Sequence, residues 1–163
     1  MAVGRFVITA RLKGVDAAVR RIDKIEGGRA RITDILFGGV KTIRSEQERL
    51  APVKTRALRR SLVAEKGRVA AWTKVDFSKI TGRENAKGGN RYPYVVEYGA
   101  PRHRIAAKPG KRLRYVNSGG VVRFAKSVNH PGAKPDPFFS DGIRNKKRQV
   151  TQEIKRGIFA IAA

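Results

Sequence analysis

The chain has 163 residues and no cysteine, which excludes a disulfide framework, a thiolate metal site and a cysteine nucleophile. That length fits one domain, here taken as 1–163, and such a domain can bury about 70% of its unfolded surface without a disulfide or metal. Lys and Arg number 37 against 13 Asp and Glu, a net charge of +24; this far exceeds the magnitude of about 2–8 that keeps a small domain soluble, and it points to a polyanion or acidic partner subunits nearby.

In chain order, Val3 to Leu12 alternates loosely, with Phe6, Ile8, Ala10 and Leu12 on one side, and reads as an opening strand. Val15, Val19, Ile22 and Ile25 follow helical spacing until Gly27-Gly28 interrupts. A longer helix is predicted over Ala30 to Leu50, with Ile32, Ile35, Leu36, Val40, Ile43 and Leu50 as its apolar stripe. Gly38-Gly39 lies inside it, so the helix either bends there or admits another backbone closely; each glycine costs about 1 kcal/mol relative to alanine. Pro52 ends the helix, because proline disfavours the α conformation in the residue before it.

Ala57 to Leu62 reads as a short helical turn, and Val69 to Phe77 as the clearest strand. Thr81 to Asn90 is polar and glycine-rich, and loops at about 78–91 and 101–113 read as mobile. Tyr92 to Tyr98 reads as a strand, with Pro93 tolerated near its start. Pro101 to Arg112 reads as a long basic loop. Asn117-Ser118-Gly119-Gly120 between Arg114–Val116 and Val121–Phe124 is a hairpin signal, with Tyr115 and Phe124 expected in the core. Asp136 is the expected N-cap of a last helix, with Pro137 at its first position. Ile143, Val150, Ile154, Ile158 and Ile161 form one face of that helix, expected to pack on the sheet. The fold expected is α+β: an antiparallel sheet with a long N-terminal helix and a C-terminal helix packed on it.

No apolar run approaches the roughly 18–20 residues needed to span a bilayer, and no signal peptide is evident at Met1–Phe6. A soluble protein made in the cytoplasm, with no membrane partner, is expected. His103 and His130 are the only histidines and lack metal-ligand spacing. Gly110-Lys111 resembles the end of a phosphate-binding loop, but Ile105 stands where that motif needs glycine and Arg112 where it needs Ser or Thr. Glu46, Glu48 and Glu65 are the candidate acids of a hydrolase, against the plainer reading that helix-surface glutamates are common. No catalytic residues, metal site or cofactor are predicted.

The charge distribution is more informative. Between Glu97 and Asp136 there is no acidic residue, yet the interval holds Arg102, Arg104, Lys108, Lys111, Arg112, Arg114, Arg123, Lys126 and Lys134. Lys54, Arg56, Arg59 and Arg60 form a second basic cluster, and Arg144, Lys146, Lys147 and Arg148 a third. Cations at this density attract phosphates by Coulomb forces and counterion release. Two readings stay open: contact with the DNA backbone without sequence readout, or pairing with acidic neighbours in an assembly. Arg102, Arg104, Lys108, Lys111, Arg112 and Arg114 are the candidate DNA-facing residues.

Four short motifs occur in order. Leu50-Ala51-Pro52-Val53-Lys54-Thr55 precedes Leu58-Arg59-Arg60-Ser61-Leu62. Tyr92-Pro93-Tyr94-Val95-Val96-Glu97-Tyr98-Gly99 follows, and then His130-Pro131-Gly132-Ala133-Lys134-Pro135-Asp136-Pro137-Phe138-Phe139. From about Ser45 to Gly142 this pattern resembles the HK97 gp10-like tail-component family of tailed phages and prophages. The resemblance implies a structural protein, not an enzyme: a tail-completion or head–tail joining subunit of a homo-oligomeric ring, often a hexamer, in the virion neck. Its implied partners are other neck and tail proteins, a head-side connector or stopper and a tail terminator or tube, with genomic DNA passing through the ring. Glu97, Lys54, Arg56 and Arg59 are candidate subunit-interface residues; for Glu97 the alternative is a carboxylate satisfied within its own chain. Tyr94, Tyr98, Phe138 and Phe139 are expected core anchors. The chain departs from the family where Lys54-Thr55-Arg56 replaces Asp-Thr-Gly, since glycine permits positive φ and arginine makes it costly. The rival expectation, from charge alone, is a free nucleic-acid-binding protein without sequence specificity.

Overall fold

A computed structural model describes residues 16–53, 56–68, 70–80 and 92–163. The opening strand expected at Val3–Leu12, Lys54, and the 81–91 part of the first loop lie outside the described residues. In chain order the elements are α1 (Asp16–Ile22), α2 (Gly28–Leu50), α3 (Ala57–Ser61), β1 (Leu62–Lys66), β2 (Ala71–Val75), α4 (Tyr92–Tyr98), β3 (His103–Ala106), β4 (Leu113–Val116), β5 (Val122–Ala125), β6 (Ser127–His130) and α5 (Phe138–Ala162). The class is α+β, with every strand pair antiparallel. Two compact units account for these elements: the described residues up to Pro93 together with Pro137–Ala163, and Tyr94–Asp136.

The first unit is organised by its two long helices. The α5 stripe buries Val150, Ile154 and Ile158 against Ile32 of α2 and against Ala18 and Ile22 of α1, with Ile35, Leu36 and Ile43 packed around them. Each such side chain contributes about 1.5–3 kcal/mol when buried. The exposed ion pairs of the same unit, such as Arg29–Asp23 and Lys66–Asp34, contribute about 0–1 kcal/mol each, so apolar packing decides the arrangement. The partner of the α5 stripe is α2, and α2 also packs against β1 and β2.

Glycine sets how closely α2 and α5 approach. A Cβ on Gly39 would lie 2.6 Å from Val150 Cγ1, and one on Gly157 would lie 2.9 Å from Ile35 Cδ1. At Gly142 a Cβ would meet the backbone of Gln47 at 3.0 Å. Gly38, by contrast, faces open space. Of the Gly38-Gly39 pair, then, only Gly39 serves close packing. Gln47 is fully buried at the Gly142 contact. Its Nε2 donates to the Phe139 carbonyl at 3.1 Å, while its Oε1 has no partner among the described residues.

The residue before Gln47, Glu46, also ties the two helices, through Asn145 one turn beyond Gly142. Arg49 donates to both of its oxygens at 2.7 and 3.0 Å, and Asn145 of α5 donates to Oε1 at 3.1 Å. These hydrogen bonds, Arg49 first, hold the Glu46 carboxyl down at about 2.

A strand with no clear sequence pattern of its own completes this unit. Leu62–Lys66 pairs with Ala71–Val75 in the register Leu62 to Val75 and Glu65 to Trp72. The strand expected to run on to Phe77 stops at Val75, and Phe77–Lys79 forms a 3-10 turn capped by the Asp76 side chain.

From α4 to the start of α5, several expectations need correction. Tyr92–Tyr98 is a helix, not a strand. Pro93 sits in its first turn, where no N–H is needed, and Gly99 closes it at φ 75 with its N–H on the Val95 carbonyl. The i,i+4 pair Tyr94 and Tyr98 stacks at 6.4 Å, and Tyr98 is exposed instead of anchoring a core. Second, the 101–113 segment is only partly loop, because His103–Ala106 is strand β3, paired with β6. Third, Asp136 does not cap α5. Pro137 holds the N-cap position without a side-chain hydrogen bond, and the Asp136 N–H donates to the Val96 carbonyl at 2.7 Å.

The second unit is a bent antiparallel ribbon. β5 and β6 run on from one another through a bend at Lys126; β4 pairs with the first half and β3 with the second. The β4–β5 turn forms as expected. Gly120 takes φ 76, and the Asn117 Oδ1 accepts from the N–H groups of Gly119 and Val121, the pattern of a three-residue hairpin loop with a left-handed closing residue.

Two tests follow from the helix pair. Gly38→Ala should raise stability by about 0.5–1 kcal/mol through helix propensity, while Gly142→Ala should lower it by about 1–3 kcal/mol through overpacking on Gln47; urea midpoints separate them. Glu46 has a depressed folded-state pKa, so its contribution is full above its unfolded value near 4.5 and is lost as pH falls toward 2. Thermal midpoints should therefore drop across that window in the wild type, and less steeply in Glu46→Gln.

Candidate nucleic-acid interface

The ribbon shows why two of the motifs carry glycine. Ala100 and Ala133 exchange backbone hydrogen bonds at 2.9 and 3.0 Å. Gly99 and Gly132, both at positive φ, flank this bridge. A Cβ on Gly132 would lie 2.3 Å from the Ala100 carbonyl oxygen, and one on Gly99 would lie 2.6 Å from that of Ala133. Glu-Tyr-Gly and His-Pro-Gly are thus two sides of one close backbone contact. The histidines belong to the same construction. His103 and His130 are cross-strand partners with rings stacked at 5.0 Å. His103 Nδ1 bonds the Pro101 carbonyl, and His130 Nδ1 accepts from the Gly132 N–H.

All six candidate cations of this unit are exposed, but they do not form one cluster. Lys108, Lys111 and Arg112 gather with Lys126 around a shallow concavity built on the Pro109-Gly110 turn. Pro109 at the second position and Gly110 at φ 73 suit a type II turn, closed by the Lys111 N–H on the Lys108 carbonyl. The Ala107 N–H bonds the Lys126 carbonyl at 2.8 Å, which brings Lys126 to the turn. Sequence proximity gives no sign of that neighbour; only the strand pairing does. Arg104 lies on β3 and donates to Ser127 Oγ at 2.9 Å. Arg102 precedes β3, and Arg114 stands on β4 opposite Phe124. Phe124 is 60% exposed, which corrects its expected place in the core. The β4–β5 hairpin covers only one of its faces, that of Leu113, Tyr115 and Ala125.

The candidate interface residues fare differently. Glu97 is 2% exposed. Arg59 caps α2: its Nε and Nη2 donate to the carbonyls of Ala51 and Arg49 at 3.0 and 3.2 Å, satisfying groups a helix end leaves open. Arg56 is exposed and takes φ 55, in the left-handed region, immediately before α3. Phe138 and Phe139 are buried, edge to face at 6.3 Å.

Among the described residues no group of three or more His, Asp or Glu could hold a metal ion, and no helix is long and apolar enough to cross a membrane. No protein-family model, curated protein or solved structure matches the chain.

The Arg56 backbone gives a direct test. Arg56→Val should lower stability by about 1–2 kcal/mol, because a β-branched residue resists the left-handed region, whereas Arg56→Gly should cause no loss; denaturant midpoints of the two variants decide it.

Proposed function

We propose that this chain is a structural virion protein of a tailed bacteriophage. In this reading it forms a ring, sixfold by resemblance, at the head–tail junction, where it completes the tail and joins it to the head. Genomic DNA passes through the ring. The observation that carries the reading is a compact unit with nine cations, no acid between Glu97 and Asp136, and its six candidate phosphate-facing side chains exposed. The ordered motifs add support, since two of them meet in one glycine-flanked bridge. The cations act on phosphate by charge, and the contacts need no base readout. The head-side and tail-side neighbours supply the other contacts of the subunit.

The second reading, a free non-specific nucleic-acid-binding protein, draws on the same charge. Salt titration with duplex DNA separates them. A neck subunit alone should bind duplex weakly at physiological salt and gain affinity only as an assembled ring. Replacing Lys108, Lys111, Arg112 and Lys126 with Gln should reduce the slope of log affinity against log salt by up to about 4, roughly 0.9 for each phosphate no longer neutralised. Tight binding by the monomer would favour the second reading; an unchanged slope would remove the Pro109-Gly110 turn from the DNA-facing surface.

A further inference from the structure

One surface of the ribbon is not explained by phosphate binding. Residues directly opposite in an antiparallel pair share a face, and the register pairs Arg114 with Phe124 and Val116 with Val122. Phe124 is 60%, Val116 59% and Val122 40% exposed, and Val121 at the turn is 52% exposed. Three apolar side chains thus stand together on the outer face of a two-stranded hairpin, beside Arg114 and within a segment that lacks acids. A two-stranded hairpin is marginal by itself, and clustered exposed apolar residues mark interaction surfaces.

We propose that this face docks an acidic, apolar-bearing segment of a partner protein. The partner's Val, Ile or Phe side chains would cover Phe124, Val116 and Val122, and its carboxylates would meet Arg114, which shares that face, and Lys126 at its end. Charge selects this occupant over a second copy, because a two-fold self-contact would press two acid-free segments together and any other face of a copy belongs to a chain of net charge +24. The valines select it over nucleic acid, since they offer no flat ring for a base and no donor for a phosphate. The inference stands whether or not the neck assignment does.

The test uses the full chain and labelled eight-residue peptides in fluorescence anisotropy. One peptide alternates Glu with Val and Phe; the control alternates Glu with Ser at equal charge. The apolar peptide should bind at least about tenfold tighter than the control, as burial of one large side chain provides. The double substitution Val122→Ser and Phe124→Ser should erase that preference and leave control binding unchanged. Val116→Thr, which keeps strand propensity, should reduce the preference if the double variant fails to fold. Equal binding of both peptides would overturn the proposal. So would loss of oligo-dT binding on Phe124→Ser, which would make the face a base-stacking platform. Concentration-dependent self-association abolished by the same change would overturn it in favour of a second copy.

Discussion

The close approach of α2 and α5 is the contact on which the first unit depends. Gly39, Gly142 and Gly157 remove the side chains that would hold the two helices apart, and Val150, Ile154 and Ile158 then reach Ile32 and α1. The glycines weaken helix propensity locally, by about 1 kcal/mol each. Burial of the stripe they admit exceeds that cost, at about 1.5–3 kcal/mol per side chain. Electrostatics refines the contact without creating it: Glu46 fixes Asn145 one turn from Gly142. From α2 the order extends outward. β1 and β2 lie against it, and Arg59 closes its last carbonyls.

The second unit is held by different means. It has little apolar interior, since all four residues of β3 and most of β5 are exposed. Its shape rests on backbone pairing, on glycines at φ 75, 73, 76 and 90, and on the imidazole stack. Such a unit accepts a dense positive charge because its residues face water, where repulsion between cations is screened over roughly 8–10 Å. The same openness leaves the Phe124 face and the Lys108–Lys126 turn accessible.

Much of the first unit was legible in the sequence, because helical spacing is a strong local signal. Val150, Ile154 and Ile158 give α5 directly, and Ile32, Ile35 and Leu36 give α2. Strand β1 was not legible: Leu62–Lys66 is short, and its identity lies in its pairing with β2. In α4, aromatic and β-branched residues suggest a strand, although Pro93 at the start and Gly99 at the end carry the helical signal. Strand β3 has no apolar alternation to read, as His103, Arg104, Ile105 and Ala106 are all exposed. Phe124 shows the limit of pattern reading at the site itself. Alternation tells which residues share a face, but not whether anything covers that face. The cations were legible by count, while the grouping of Lys126 with Lys108 and Lys111 required the bend in the ribbon.

The acid-free run of cations and the Glu-Tyr-Gly and His-Pro-Gly motifs meet in the ribbon. A subunit that lines a DNA channel needs exposed cations on a backbone whose shape does not depend on them, and the glycine-flanked bridge with its hydrogen-bonded turns provides one. The most direct measurement is cryo-EM of the head–tail junction in purified particles, reconstructed without imposed symmetry. The account predicts a ring of this subunit at the neck, with the Pro109-Gly110 turn facing the DNA. Complete virions that lack the chain would contradict it.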